Sequence, residues 1–523
     1  MEQLLSEDWH YFGSWPGIGM SDSLIWQGQH VTNRFYEKFG IWKGYVNIFT
    51  DNGTTQHMYG RKKLLKEIIP LLNDQIEKKP EELINTLKNY YSFSDKYKQE
   101  CSTLMEIDLS TAHNSELADA FIEGRKLQSE TALFDQFGIL TEDYFLKKVQ
   151  SILGKYIEDK ETLFKVFQKL TNPWSLSTPQ KELIDIYKCI LKLSKIEKLD
   201  SIVNQKDYKK LRIMIIQNVI EDVKKMSFEY GWLPVFLKNS SWGEDHYIRE
   251  ISNTIMDSLS LDLNPDAIKQ KIDELSDINN KNKKVVESLY EKYNFKQSET
   301  IIIDIFRLVM DTRNESEYLI GYASLVLLPI IQEIQNRLQI SDTTFGVLYF
   351  DEIVNLLNKN ELISNIPIDD RLDVCGYWFI DDHKFTLIDK EIATTFLNKQ
   401  KSLIESIVEN SSKNNEDIVG ICASVGKVEG IVKIINGIED FEKFKTDDIL
   451  VAESTTADYV PLMRKAGGII AEHGGVTCHA AIVSRELGIP AIVGYPLATK
   501  VFHDGQRVYF DAITGIVKII SEG

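Results

Sequence analysis

The spacing of apolar residues changes once along this chain of 523 residues, and that change restricts it to a composite of two architectures. From about Arg61 to Ile340, apolar side chains recur at every third and fourth position, through segments such as Arg61–Ile69, Glu81–Tyr91 and Leu211–Lys225. This is the period of amphipathic helices. Start signals agree: Pro80 precedes Glu81 and Glu82, and Asn264-Pro265-Asp266 reads as a cap with Pro at the first helical position. Downstream of Lys399–Asp417 the pattern breaks into short β-like runs at Glu429–Ile435, Asp448–Ala452, Gly468–Ala471, Pro490–Gly494, Arg507–Asp511 and Gly515–Ile520, interleaved with short helical stretches. A helical period does not sit still as a strand, so the two parts must fold differently.

The expectation is a multidomain protein: a mainly α-helical N-terminal region with a small β element, followed by a C-terminal α/β domain. The β element is Tyr45–Tyr59, two β-like runs about the turn Asp51-Asn52-Gly53. The predicted division is an N-terminal segment 1–60 carrying this hairpin and packed on the helical domain, a helical domain 61–400, a Ser/Asn/Lys-rich linker 401–418, and the α/β domain 419–523.

A formal net charge of −18 repels phosphate backbones and anionic lipid, so neither nucleic acid nor a membrane is an expected partner. The basic block Asn279–Lys284 reads as a solvated helix face, and the apolar run Leu319–Ile331, too short to span a bilayer and containing Pro329, as a core helix. The first residues, MEQLLSEDWHYFG, lack the basic start and apolar run of a signal peptide. Five cysteines without a CxxC pair indicate neither a disulfide framework nor a zinc ribbon, and a reducing, cytoplasmic location is expected. The aromatic group Trp9, Tyr11, Phe12, Trp15 and Trp26 reads as packing in preference to an acceptor pocket. The stretch Trp232–His246 breaks the helical pattern with Trp, Ser, Glu, Asp and His, either as a functional loop or as ordinary surface.

Chemistry concentrates in Gly467–Gly494, GGIIAEHGGVTCHAAIVSRELGIPAIVG. A buried strand ends in a loop containing Gly474 and Gly475, and a helix begins at about Cys478. Adjacent glycines let the backbone turn sharply and approach a bulky anion, while the helix start presents free N–H groups and the positive end of its dipole. His479 stands in that first turn beside Thr477. A neutral imidazole there is a competent nucleophile toward phosphorus. Arg485, six residues on, is a phosphate-pairing candidate whose geometry the spacing leaves open. His473 and Cys478 are possible assistants. Together with His479 they give only three ligands, packed around one turn, so no metal site is expected.

The run GGVTCHAAIVSRELGIPAIVG resembles the phosphohistidine segment of the phosphoenolpyruvate-utilising enzymes, a family that includes phosphoenolpyruvate synthase and rifampicin phosphotransferase. The Thr-Cys-His order is closest to phosphoenolpyruvate synthase. The likeness extends back through Gly426–Gly430, Asp448–Val451 and Pro461-Leu462 and forward to Val508–Gly515, with Ala457 departing from a usual Pro. The resemblance implies that the α/β domain is a phosphohistidine swivelling domain. In it His479 is phosphorylated, and Thr477, Gly474, Gly475 and Arg485 stabilise the phosphoryl group. More weakly, Asp304–Leu357 resembles the helical segment preceding that domain in rifampicin phosphotransferase and its relatives, with Arg307, Arg313 and Glu317 near that family's Arg- and Glu-containing helix. This implies a helical domain that holds a small-molecule acceptor. No Gly-rich phosphate loop and no Arg-Ser-Ser-type segment of an ATP-grasp domain is found. The stretch after His479 is also too short for a (β/α)₈ pyruvate-binding barrel of ~250 residues. ATP and Mg²⁺ are therefore expected at a nucleotide site on a separate ATP-grasp protein. Two alternatives stand: a carrier acting on pyruvate, as in phosphoenolpyruvate synthase or pyruvate dikinase, and a non-catalytic regulatory module that kept the swivel fold.

Overall fold

The computed structural model describes residues 2–6, 8–16, 45–50, 55–233, 241–257, 264–381, 384–413, 418–476 and 478–522. The spine of the helical region is the helix Gln297–Leu338, which packs along Asn114–Leu153 and across Pro80–Met105. Two glycines set the closeness of the first pair. A Cβ at Gly124 would lie 2.7 Å from Leu327 Cδ2, and one at Gly138 would lie 2.6 Å from Arg313 Cδ. By length and composition the spine helix could cross a membrane, which the shorter apolar run inside it could not. Here 59% of its most apolar window is buried within the fold. A second core, built from Thr178–Leu193, Leu199–Asn204, Tyr208–Tyr230, Glu244–Asp257 and Pro265–Ser276, packs on the other flank of the same helix through Tyr318.

The β element is larger than the sequence pattern suggests. Strands β1 (Trp9–Pro16), β2 (Tyr45–Thr50) and β3 (Thr55–Arg61) are joined by β4 (Cys375–Asp381) and β5 (Lys384–Ile388) in an antiparallel sheet of order β1-β3-β2-β4-β5. Residues 61–400 are thus not wholly helical. The reason is non-local: β4 completes its hydrogen bonding on β2, with Val46 opposite Trp378 and Phe49 opposite Cys375, a partner that no local period reveals. Trp9 meets Trp378 and Phe396 edge-on, so it serves packing. Trp15 lies on β1; Trp26 and the turn Asp51–Gly53 lie outside the described residues.

The stretch expected as a linker also differs. A helix runs from Lys390 to Lys413, so 401–413 is helical, and 414–417 lie outside the described residues. Its Ser, Asn and Lys residues are compatible with an exposed helix even though they resemble loop composition.

The C-terminal domain is a curled seven-stranded sheet of order β12-β11-β7-β8-β9-β10-β6. Its strands are β6 (Ile421–Ser424), β7 (Lys427–Ile434), β8 (Ile449–Ala452), β9 (Gly468–Ala471), β10 (Ala491–Val493), β11 (Arg507–Asp511) and β12 (Ile516–Ser521). Strands β7 to β10 run parallel, and β8 and β9 are buried at every position because apolar layers cover both faces. Their carboxyl ends lie at one edge, where an open parallel sheet presents ligand-binding loops.

Candidate functional site

At that edge the chain leaves β9, passes through residues 472–476 and enters the helix His479–Leu487, with Cys478 as its N-cap. The two glycines of the turn serve different needs. Gly474 has φ +102°, a backbone state that side chains resist, and a Cβ there would lie 2.7 Å from the Cys478 side chain. Gly475 permits an approach from the helical region, since a Cβ would lie 1.9 Å from Glu142 Oε1.

His479 is the first residue of the helix and only 3% exposed. Burial pushes its pKa down to about 3, so the ring is neutral near pH 7. Nδ1 lies 2.9 Å from the hydroxyl of Thr455, which follows β8. With the ring proton on Nδ1, donated to Thr455 Oγ1, Nε2 keeps its lone pair. That Nε2 is buried and has no hydrogen-bond partner among the described residues. Such an arrangement leaves a ring nitrogen at a helix N-terminus chemically able to act as a nucleophile.

Arg485 reaches back beneath the loop, and Nη2 donates to Val476 O at 2.6 Å. Long helical side chains point toward the N-terminus, which is how a residue six positions along comes to support the His479 turn. Its Nε and Nη1 are buried without partners among the described residues, and burial lowers its pKa to about 10, leaving it cationic. His473 is engaged elsewhere: Nε2 lies 3.2 Å from Glu453 Oε1, and its N–H donates to Glu453 O. Thr477 lies outside the described residues.

The site faces the helical region. Val476 and Ile482 are part of the main helical core, and the Tyr318 ring meets the His479 ring edge-on with centroids 6.1 Å apart. Arg313 pairs with Glu142 at 3.0 Å and Asp135 at 3.3 Å, against the loop at Gly475. Arg307 is structural: it donates to Leu170 O, and its guanidinium lies 3.7 Å over the Trp174 ring. The side chain of Glu317 lies outside the described set. A second ion pair, Arg464 with the buried Glu182 at 3.2 Å, crosses the same interface. Three carboxyls also meet there. Asp311 accepts from Ser175 Oγ at 2.6 Å, Glu315 from Thr178 N and Oγ1 at 3.3 and 3.2 Å, and Glu486 from Ser177 Oγ at 2.9 Å. Burial pushes Glu315 up to about 7 and Glu486 up to about 8, with Asp311 adding to both shifts.

Residues 444–515 match the family described as PEP-utilising enzyme, mobile domain. The C-terminal unit is similar to this mobile domain over those residues. Similar proteins include a probable phosphoenolpyruvate synthase of Archaeoglobus fulgidus, 40% identical over 33% of this chain and 22% of its own length. Another, of Methanothermobacter thermautotrophicus, is 44% identical over 26% of this chain and 20% of its own. An uncharacterized phosphotransferase, YvkC of Bacillus subtilis, is 35% identical over 24% and 15%. The matched segment therefore spans about a fifth or less of each of these relatives.

Within the mobile domain the structure gathers His479, Gly474, Gly475, Cys478 and Arg485 into one turn and its support, and ties His473 to Glu453. Sequence reading missed Thr455, Tyr318 and Glu142. Thr455 had a usable signal: a run of three hydroxyl residues, Ser454-Thr455-Thr456, stands one residue beyond a buried strand that is parallel to β9. Tyr318 and Glu142 sit in helices whose local pattern announces only packing.

Proposed function

We propose that this chain is the carrier and acceptor part of a phosphotransferase, in which Nε2 of His479 takes up a phosphoryl group and passes it to a small molecule held by the helical region. A phosphohistidine-carrier role of the PEP-utilising type is what the matched domain supports. The single observation that carries the finer reading is the buried, neutral imidazole whose Nε2 has no partner among the described residues and whose ring packs on Tyr318 of the helical region. Thr455 holds the tautomer, the helix N–H groups face the phosphoryl oxygens, and Arg485 fixes the loop from behind while adding positive charge.

Among the described residues no group of three His, Cys, Asp or Glu side chains is arranged to hold a metal ion. In this reading ATP and Mg²⁺ belong to a separate ATP-grasp protein. The test is to supply radiolabelled ATP, Mg²⁺ and such a protein. Acid-labile label should appear on the wild type and vanish in His479→Ala. An unlabelled wild type, or undiminished label in the variant, would sink the proposal. The relatives named phosphoenolpyruvate synthase favour pyruvate as a second reading of the acceptor, which transfer from the labelled protein to pyruvate would establish.

A further inference from the structure

Four of the five cysteines are shielded by their surroundings. Cys101, Cys189 and Cys375 are buried, and burial pushes their thiols, and that of the partly exposed Cys422 on β6, up to about 12. Groups of this kind stay protonated near pH 7 and are inert toward oxidants. Cys478 stands differently. It is partly exposed, it caps the nine-residue helix His479–Leu487 at the positive end of its dipole, and its neighbour in the chain is the histidine itself. Its sulfur lies inside the turn: a Cβ built on Gly474 would come within 2.7 Å of Cys478 Sγ, so the thiol fills the space that this glycine leaves open.

A second observation, independent of the cysteine, points to an anion at this place. Arg485 is only 8% exposed, and while its Nη2 donates to Val476 O, two residues before Cys478, its Nε and Nη1 have no partner among the described residues. Burial works against its charge. Of the acidic groups around it that favour the charge, Cys478 comes first, ahead of Glu486, Cys422 and Glu142. The other three supply little: burial raises Glu486 to about 8, so it keeps its proton near pH 7, Cys422 stays a thiol, and Glu142 is paired with Arg313. A buried guanidinium with two unused N–H groups is costly until an anion meets it.

We propose that Cys478 is an oxidisable thiol, that Arg485 holds its sulfenate, and that this modification shuts off His479. In the step, the Cys478 sulfur attacks one oxygen of hydrogen peroxide and the S–O bond forms. The O–O bond breaks, and its electron pair leaves on hydroxide, which takes up a proton to become water. Sulfur gives up two electrons and peroxide gains them. The added oxygen needs room between Gly474 and the helix start, and it brings negative charge to the N–H groups that would otherwise face phosphoryl oxygens. Dithiothreitol reverses the change, closing to its cyclic disulfide while the oxygen leaves as water. The effect on His479 rests on the carrier reading above; the oxidation of Cys478 does not.

The full chain is treated with hydrogen peroxide in the presence of dimedone, which captures sulfenic acids, and mapped by mass spectrometry. The adduct should form on Cys478 at least about tenfold faster than on Cys422. Arg485→Met should slow it about tenfold, and Arg485→Lys should recover most of the rate. Without dimedone, peroxide should cut labelling of His479 by phosphoramidate at least about tenfold, and dithiothreitol should restore it. Cys478→Ser should keep its own untreated labelling rate after peroxide. Equal adduct on Cys422 and Cys478, an unchanged rate in Arg485→Met, or peroxide inhibition that persists in Cys478→Ser would overturn the proposal. Should Arg485→Met not fold, the comparison of Cys478 with Cys422 in the wild type still decides. If the reduced chain takes no phosphate on His479, the carrier reading fails instead, and the dimedone map still decides the thiol.

Discussion

His479 and Glu486 lie on the same short helix, and burial leaves both uncharged by opposite routes. The histidine loses its proton, with a pKa lowered from 6.5 to about 3, and the carboxyl gains one, with a pKa raised from 4.5 to about 8. A lowered histidine contributes stability above its ordinary pKa that is lost as pH falls toward 3. A raised carboxyl contributes stability below its ordinary pKa that is lost as pH rises toward 8. The contact between mobile domain and helical region therefore tolerates neither an extra proton on His479 nor a missing one on Glu486, two turns away. What the pair teaches is that one buried helix face can need a proton kept off at one end and a proton held on at the other.

The largest disturbance should come from packing, which acts on both groups at once. Ile482→Ala removes a side chain that the mobile domain buries in the helical core, at about 2–4 kcal/mol. Amide exchange at 476–482 should then rise by about two orders of magnitude at every pH. Next, Gly474→Ala places a side chain at φ +102° against Cys478, and phosphorylation of His479 should slow by about ten- to a hundredfold. Gly475→Ala should do less, since only the flexible end of Glu142 must move. The comparison itself is broken by Glu486→Gln: measured against the intrinsic exchange rate at each pH, wild-type protection at 476–482 should fall about tenfold between pH 6.5 and 8.5, and that of the variant should stay level. Smallest, Thr455→Val removes the tautomer-fixing hydroxyl, and His479 should be phosphorylated about three- to tenfold more slowly with its pH profile shifted.

How far the sequence reveals this site follows from how local each part is. The Gly-Gly turn, the helix start and His479 are adjacent in the chain, so residue order alone displays them. Arg485 was harder, because six residues place it on another part of the helix until its length and N-terminal tilt are considered. Thr455, Tyr318 and Glu142 reach the histidine from other elements, and only the folded arrangement brings them there. The same contrast governs the fold. Helices announce themselves by period, whereas β4 and β5 depend on a distant partner strand. The helix over 401–413 is hidden by polar residues that suit loops and exposed helices alike.

The β2–β4 pairing has one more consequence. Phe49 lies opposite Cys375, with nearly the whole helical region in between. The helices are therefore enclosed in a loop whose two ends are fastened side by side, and neither end can fray without breaking the sheet. Such a closure demands that a very long segment be brought together before the ladder forms, a slow event in folding. Once made, it gives the helix Lys390–Lys413, which leaves directly from β5, a fixed point of departure on the side that leads to the mobile domain.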